Sequence, residues 1–321
     1  MTSKTVDSRQ VSLARRLGTL TATLLTAGMI IGTGIFGAIG SAASRAGSGI
    51  LLAMVLGGLV ALFTGISAAQ LGVNYPVEGG AFTWARQFNH KRLGFVAGTA
   101  YLGKGIFSLS VISLAFAEYT SQLISGIPAP LLAAGAIIAI LVVNMFGVHL
   151  TSKIVIALLL VNVSLFAVYV GLTVESVNLS HYANPIGENG LVGLLGGAAI
   201  FFWTWDGFMR TAIMAGEIKE PRRTIPIAVI GGIALAAIVF LVVGAVTLGV
   251  LGPVSMGADN VPLYRAALST AGALGGIVVL LTAWTASITE LVGDMLAASR
   301  VAYTMGEAGE FPRWLGAVHA K

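Results

Sequence analysis

Residues 31–36 read Ile31-Gly32-Thr33-Gly34-Ile35-Phe36, a glycine-bracketed break near the middle of an apolar run, residues 17–44, that carries no charged side chain. Irregular backbone at mid-membrane depth is tolerated only where protein buries it or a cavity uses it, because no water is there to satisfy the freed amides and carbonyls. A half-helix that starts after the break offers unpaired N–H groups and a positive dipole end to an anion, and the carbonyls just upstream face a cation. A zwitterion satisfies both ends. The competing reading of Gly32-Thr33-Gly34 is close helix packing through small residues. Two glycines flanking a hydroxyl, followed by a fresh apolar run, fit an unwound segment better.

Hydrophobic residues make up 56% of the chain and charged residues only 10%, with a mean hydropathy of +0.92. Such a chain cannot solvate a soluble surface, and it is read as an all-α polytopic membrane protein. A span needs about 20 apolar residues, and eight are expected, centred near Ile30, Val60, Phe107, Ile138, Val163, Trp203, Ala236 and Thr285. An even number places both termini on one side. Lys4, Arg9, Arg15, Arg16, Arg86, Lys91, Arg92, Lys153, Lys219, Arg222, Arg223, Arg300, Arg313 and Lys321 fall on that side, against Arg45 and Arg265 opposite, which makes it cytoplasmic by the positive-inside bias.

The net charge of +5 is therefore an orientation signal. Nucleic-acid binding, which needs a clustered basic face, is not expected. The run after Arg16 is too long for a signal-peptide core and reads as an uncleaved span. Cysteine is absent, which excludes disulfide frameworks and cysteine-based metal or redox sites. His90, His149, His181 and His319 form no pair at ligand spacing, so neither a metal nor a cofactor is expected.

The sixth span repeats the peculiarity of the first with different residues. Phe201-Phe202-Trp203-Thr204-Trp205-Asp206-Gly207-Phe208 puts aromatics, a carboxylate and a glycine at mid-membrane depth. Interrupted helices at corresponding positions of two halves mark the site of an inverted-repeat transporter, because the repeat symmetry brings the two breaks together at the midplane. Between spans two and three, Tyr75-Pro76-Val77-Glu78-Gly79-Gly80-Ala81-Phe82-Thr83-Trp84 reads as a sharply turned or re-entrant cytoplasmic segment. Residues 255–262 read as an extracellular turn followed by a short amphipathic piece.

With these motifs in hand, the chain resembles the amino acid permeases of the amino acid, polyamine and organocation transporter superfamily over most of its length. Residues 31–36 look like the helix 1 signature, and residues 76–82 like the loop pattern of a proline followed by paired glycines. Asn144-Met145-Phe146-Gly147 with Lys153 looks like the helix 4 to 5 junction. Residues 215–226, Ala-Gly-Glu-Ile-Lys-Glu-Pro-Arg-Arg-Thr-Ile-Pro, resemble the loop after helix 6. Ala298-Ser299-Arg300-Val301-Ala302-Tyr303 with Gly309-Glu310-Phe311-Pro312 resembles the end of helix 8.

The resemblance implies a core of two inverted five-helix repeats, usually followed by two more helices, with discontinuous helices 1 and 6. On that scheme residues 1–16 form a cytoplasmic tail, 17–176 the first repeat, 189–304 helices 6 to 8 of an incomplete second repeat, and 305–321 a second cytoplasmic tail. The chain is thus expected to be truncated after helix 8.

For the substrate, the resemblance assigns the carboxylate to Gly32, Thr33 and Gly34 and the amino group to carbonyls of Gly28 to Ile31. It favours Phe202, Trp203 and Trp205 as contacts from the second break, with Trp205 as a side-chain wall that suits a neutral or hydrophobic substrate. Trp203, Trp205 and Phe208 read equally well as lipid-facing or core residues. Asp206 either attracts the substrate amine or a proton, or pairs with Arg210 four residues on. Lys104, about ten residues past Gly94, lies roughly 15 Å inside the membrane, at a depth matching Glu290 and Asp294 of the eighth span. A pair of Lys104 with Glu290 or Asp294 is expected, serving either structure or proton coupling. Some proton-dependent relatives carry a lysine in helix 5 at the place that, aligned from Lys153, is Asn162 here. Ser287 and Thr289 offer generic oxygens for sodium, and uncoupled exchange stays open.

The expected function is secondary transport of an amino acid, neutral by the resemblance, by alternating access. The partners are that substrate, the lipid bilayer and a proton or sodium ion, with an oligomer left open. No enzyme is expected, because no nucleophile, base and orienting residue converge. A polyamine or organocation carrier is the rival within transport and calls for several acids around the breaks, where only Asp206 stands in sequence. A non-transporting sensor or subunit completed by a partner is the rival outside it. The resemblance implies a prokaryotic inner membrane.

Overall fold

The computed structural model describes residues 17–77, 79–144, 148–213, 215 and 218–316, without the side chains of 148–153 and 313. The expected tail over residues 1–16, with its arginines, lies outside the described residues. So do Glu78, Met145 to Gly147, Gly216, Glu217 and residues 317–321, together with the side chains of His149, Lys153 and Arg313. The first apolar run forms two helices, α1 (Thr19–Ile30) and α2 (Gly34–Ala46), parted by Ile31, Gly32 and Thr33. There follow α3 (Ile50–Asn74), α4 (Ala81–Gln87), α5 (Lys91–Ser121), α6 (Ala129–Asn144) and α7 (Val148–Thr173). The sixth span is α8 (Gly190–Phe202), a 3-10 turn over Trp203–Trp205, and α9 (Phe208–Ile213). The last two helices are α10 (Pro221–Ala258) and α11 (Pro262–Glu307).

The eight expected span centres all fall within these helices or the 3-10 turn. Among the described residues, six stretches are long and apolar enough to cross a membrane. One of them, Gly34–Asn74, joins the second half of span one to the whole of span two, and Thr19–Ile30 and Ala129–Asn144 are shorter apolar helices. Gly252, with φ 72°, bends α10, and Gly272, with φ 57°, bends α11. The expected turn over residues 255–262 is therefore shorter than anticipated, with α10 continuing to Ala258, and the amphipathic piece is the start of α11 before Gly272.

Helix α11 is the spine, packing on α7 and α5, while α1 packs on α10 and α7 and α3 on α10 and α8. Small residues permit these approaches: a methyl group at Gly232 of α10 would come 2.6 Å from Thr26 Cγ2 of α1. Phe36 of α2 lies edge-on to Tyr119 and stacks on Phe166, with ring centroids 5.2 and 5.6 Å away. Lipid tails are as apolar as these side chains, so van der Waals packing between the helices fixes the interior, while Phe107, Ile106 and Phe63 stand exposed as suits a surface facing lipid tails.

Two of the segments quoted for the family resemblance, the glycine turn into α4 and the end of α11, meet at one end of the bundle. Gly79 and Gly80 have φ of 89° and 53°, which lets the chain turn sharply into α4. Phe82 of α4 packs with Val301 and Met305 of α11, and Arg86 pairs with Glu310 at 2.6 Å. Lys219 donates its amide to the Leu17 carbonyl at 2.9 Å, tying the segment after α9 to the start of α1. At the other end the 184–190 segment crosses the α2–α3 connection: Glu188 accepts hydrogen bonds from the Ser48 amide and hydroxyl, at 3.0 and 2.8 Å. Those bonds, the amide's first, hold the Glu188 carboxyl below the usual carboxylate range.

Candidate functional site

Helix α2 cannot continue α1, because Ile31 has φ −76° and ψ 70°, so the first amides of α2 begin without carbonyl partners inside their own helix. One of them is taken from 257 residues away: the Thr33 amide donates to Glu290 Oε2 at 2.6 Å. The Thr33 hydroxyl donates to Ser287 Oγ, one turn earlier on α11, at 3.1 Å. Gly32 is required here, since an added Cβ would lie 2.7 Å from Glu290 Cδ.

The carbonyl pole of the same break is also engaged. Arg210 of α9 donates through Nη1 to the Met29 carbonyl at 2.8 Å. Its Nη2 lies 2.5 Å from Asp294 Oδ1, 3.7 Å from Asp206 Oδ2 and 3.8 Å from Glu290 Oε1. Lys104 of α5 pairs with Asp206 and lies 3.4 Å from Asp294, while Ser108, one turn on, donates to Asp294 Oδ2 at 2.6 Å. Two cations and three carboxylates thus form one network across α5, α9, α11 and the second break. Arg210, only 1% exposed, sits at its centre, and its Nε has no acceptor among the described residues.

The second break rests on the first. A Cβ at Gly207 would come 2.5 Å from the Ile30 nitrogen, and one at Gly34 would come 2.8 Å from Thr204 Cα. The two interruptions therefore touch backbone to backbone, which no larger residue at either glycine permits.

The structure brings together Gly32, Thr33, Gly34, Asp206, Arg210, Lys104, Ser287, Glu290 and Asp294. Lys104 takes Asp206 as its first partner and Asp294 as its second, instead of Glu290. The pair of Asp206 and Arg210 forms at 3.7 Å, longer than the pair of Arg210 with Asp294. Gly28 lies in the last turn of α1 against Val155 and Leu159 of α7, as a packing contact. Asn162 of α7 is fully buried, and with its amide donating to the Thr282 carbonyl at 3.1 Å and accepting from the Ala286 amide at 3.0 Å it joins α7 to α11. Neither Gly28 nor Asn162 touches the charged network. The acids at the breaks number three instead of the one visible in sequence, and both cations answer them.

The aromatics of the second break part company. Trp205 packs edge-on against Phe240 of α10, centroids 5.1 Å apart, over Gly58 of α3, and closes an apolar crevice of about 240 Å³ between α3 and α10. Its indole N–H has no acceptor among the described residues. Trp203 instead lines a crevice of about 250 Å³ with Gly37, Ala38 and Ser41 of α2, Val111 of α5 and Ile200 of α8. Phe202 is partly exposed at the end of α8.

Two interrupted helices crossing at their breaks inside a bundle of apolar spans define an all-α membrane protein with the inverted-repeat transporter fold. The chain belongs to the amino acid permease family, whose sequence profile matches residues 21–321. It is 31% identical to the transporter Rv1999c of Mycobacterium tuberculosis, over 98% of this chain and 72% of that protein. It is 28% identical to the branched-chain amino acid permease BcaP of Lactococcus lactis, over 92% of this chain and 69% of that one. In fold it is similar to Mhp1, a nucleobase-cation-symport-1 family transporter solved in a closed conformation with bromovinylhydantoin bound, with a TM-score of 0.59 at 15% identity, covering 92% of this chain and 76% of that structure. The chain is a multi-pass membrane transporter by family.

Proposed function

We propose that the protein carries a neutral amino acid by alternating access, holding the substrate's carboxylate at the start of α2 and its amino group at the Met29 carbonyl. The observation that carries this reading is the polarity of the span 1 break: an amide pole at Thr33 and a carbonyl pole at Met29, each engaged by a group of the charge a substrate would bring. On this reading Gly32, Thr33 and Gly34 contact the carboxylate, and the second break supplies Phe202, Trp203 and Asp206. Residues 17–176 act as the first repeat and 189–304 as three helices of the second. Both termini lie in the cytoplasm of a cell with this protein in its plasma membrane.

The similarity to a branched-chain amino acid permease and the apolar crevice beside Trp203 support an uncharged side chain. An organocation carrier is disfavoured because Arg210 and Lys104 already answer the carboxylates at the breaks. No covalent bond of the substrate forms or breaks.

Counterflow into proteoliposomes tests the reading. Vesicles preloaded with single amino acids are expected to concentrate labelled leucine, valine or alanine, while the methyl ester and the N-acetyl derivative, each lacking one pole, do not compete. Competition by the blocked derivatives as strong as that of the free amino acid, or counterflow of polyamines alone, would overturn it.

A further inference from the structure

We propose that Glu290 and Arg210 form a built-in zwitterion on the two poles of the span 1 break, that the substrate must exchange with it, and that Glu290 takes up one proton as it leaves. The inference deepens the function proposed above and rests on it. Glu290 holds the Thr33 amide and Arg210 the Met29 carbonyl, while carboxylate and guanidinium stand only 3.8 Å apart. A bound α-amino acid would present the same two charges to the same two backbone atoms. Substrate and side chains cannot occupy those atoms together.

The fate of the displaced groups follows from their neighbours. Arg210 keeps Asp294 at 2.5 Å when it leaves Met29, and its Nε lacks an acceptor among the described residues, so the guanidinium has capacity for an arriving carboxylate. Glu290 has no such second holder among the described residues. The groups around it are the Thr33 amide from the first break, Arg210 from α9, Asp206 from the second break, Lys104 with Tyr101 beside it from α5, and Asp294 from α11. Asn162 of α7 is neutral and committed to the α11 backbone. Lys104 is held by Asp206 and Asp294, and Arg210 lies closer to Asp294 than to Glu290.

Once the substrate carboxylate takes the Thr33 amide, an ionised Glu290 would remain as a buried charge without a close donor, which is strongly unfavourable. The network already carries one more carboxylate than cations. A proton from the aqueous phase then open to the site, bound to one Glu290 carboxylate oxygen, removes both penalties. It is released again when the substrate leaves and the carboxylate returns to Thr33. Loading is thereby linked to protonation with a stoichiometry of one.

The test is proton uptake on binding, measured with a pH indicator in weak buffer on purified wild-type protein in nanodiscs, using the neutral amino acid that gives the strongest counterflow. About one proton per bound substrate is expected near neutral pH, with affinity weakening up to tenfold per pH unit on the alkaline side. In Glu290→Gln, substrate binding is expected to take up no proton and to become independent of pH, and accumulation driven by a pH gradient is expected to be lost. Binding without proton uptake in the wild type, or an unchanged pH dependence in Glu290→Gln, would overturn this inference and leave transport standing. Absence of binding and counterflow for every amino acid would overturn both.

Discussion

Gly207 of the second break lies against the Met29 carbonyl at the end of α1, so closely that a side chain at position 207 would overlap the Met29 and Ile30 backbone. The two interruptions are therefore one mechanical unit, and α1 cannot shift without moving the start of α9.

A side chain placed between them should separate the breaks. Gly207→Ala is expected to destabilise the protein by about 1–3 kcal/mol and to abolish counterflow. Gly103→Ala, on a helix face with nothing within 4 Å, should leave both unchanged. Thermal unfolding in detergent and counterflow of the two variants check this.

Arg210 is the member of the charged network that most others depend on. Arg210→Met would leave Asp294, 3% exposed, with Lys104 at 3.4 Å as its nearest cation. A loss of about 3–5 kcal/mol is expected, and adding Asp294→Asn should return part of it, because the uncompensated charge is then gone. Unfolding midpoints of the single and double variants decide the matter.

Lys104 has three carboxylates near its depth, and the structure pairs it first with Asp206. A double-mutant cycle of Lys104→Met with Asp206→Asn is expected to show a coupling of about 0.5–3 kcal/mol. The same cycle with Glu290→Gln should show much less. A larger coupling to Glu290 would contradict the arrangement.

The aromatics of the second break should separate by phenotype. Trp203 lines the crevice between α2, α5 and α8, so Trp203→Ala is expected to raise KM several-fold with little change in stability. Trp205 is enclosed by Phe201 and Phe240, so Trp205→Ala is expected to cost about 3–5 kcal/mol as a core truncation. Uptake kinetics and melting curves of the pair distinguish them.

Glu188 provides the pH prediction outside the membrane. Its carboxyl is held below the usual range by the Ser48 amide, so the stability it contributes is fully present above the unfolded pKa, about 4.3 for Glu, and is lost as pH falls through the lower folded value. Wild-type protein should lose thermal stability over that acidic window more steeply than Glu188→Gln. Parallel curves for the two would show that the clamp contributes nothing.

Much of the fold was readable because membranes impose it: an uncharged run interrupted by Gly32 and Gly34, and a sixth span carrying Asp206 and Gly207, announce discontinuous helices by composition alone. The partners at the break were not. Helical rise gives Lys104, Glu290 and Asp294 a depth but no direction around their axes, so Asp206 could not be singled out as the partner of Lys104. The contact between Thr33 and Glu290 spans 257 residues and exists only through the packing of α11 across the first break. Arg210 carried one signal, an ionisable side chain four residues after Asp206, which suggested that pair and concealed its closer hold on Asp294 and Met29. Asn162, placed by alignment at a coupling position, is buried against α11.

The most direct measurement is a structure determined with a transported amino acid bound. The account predicts the substrate carboxylate on the Thr33 amide and its ammonium on the Met29 carbonyl, with Glu290 and Arg210 withdrawn from both. A substrate bound elsewhere, with the bonds from Thr33 to Glu290 and from Arg210 to Met29 intact, would contradict it.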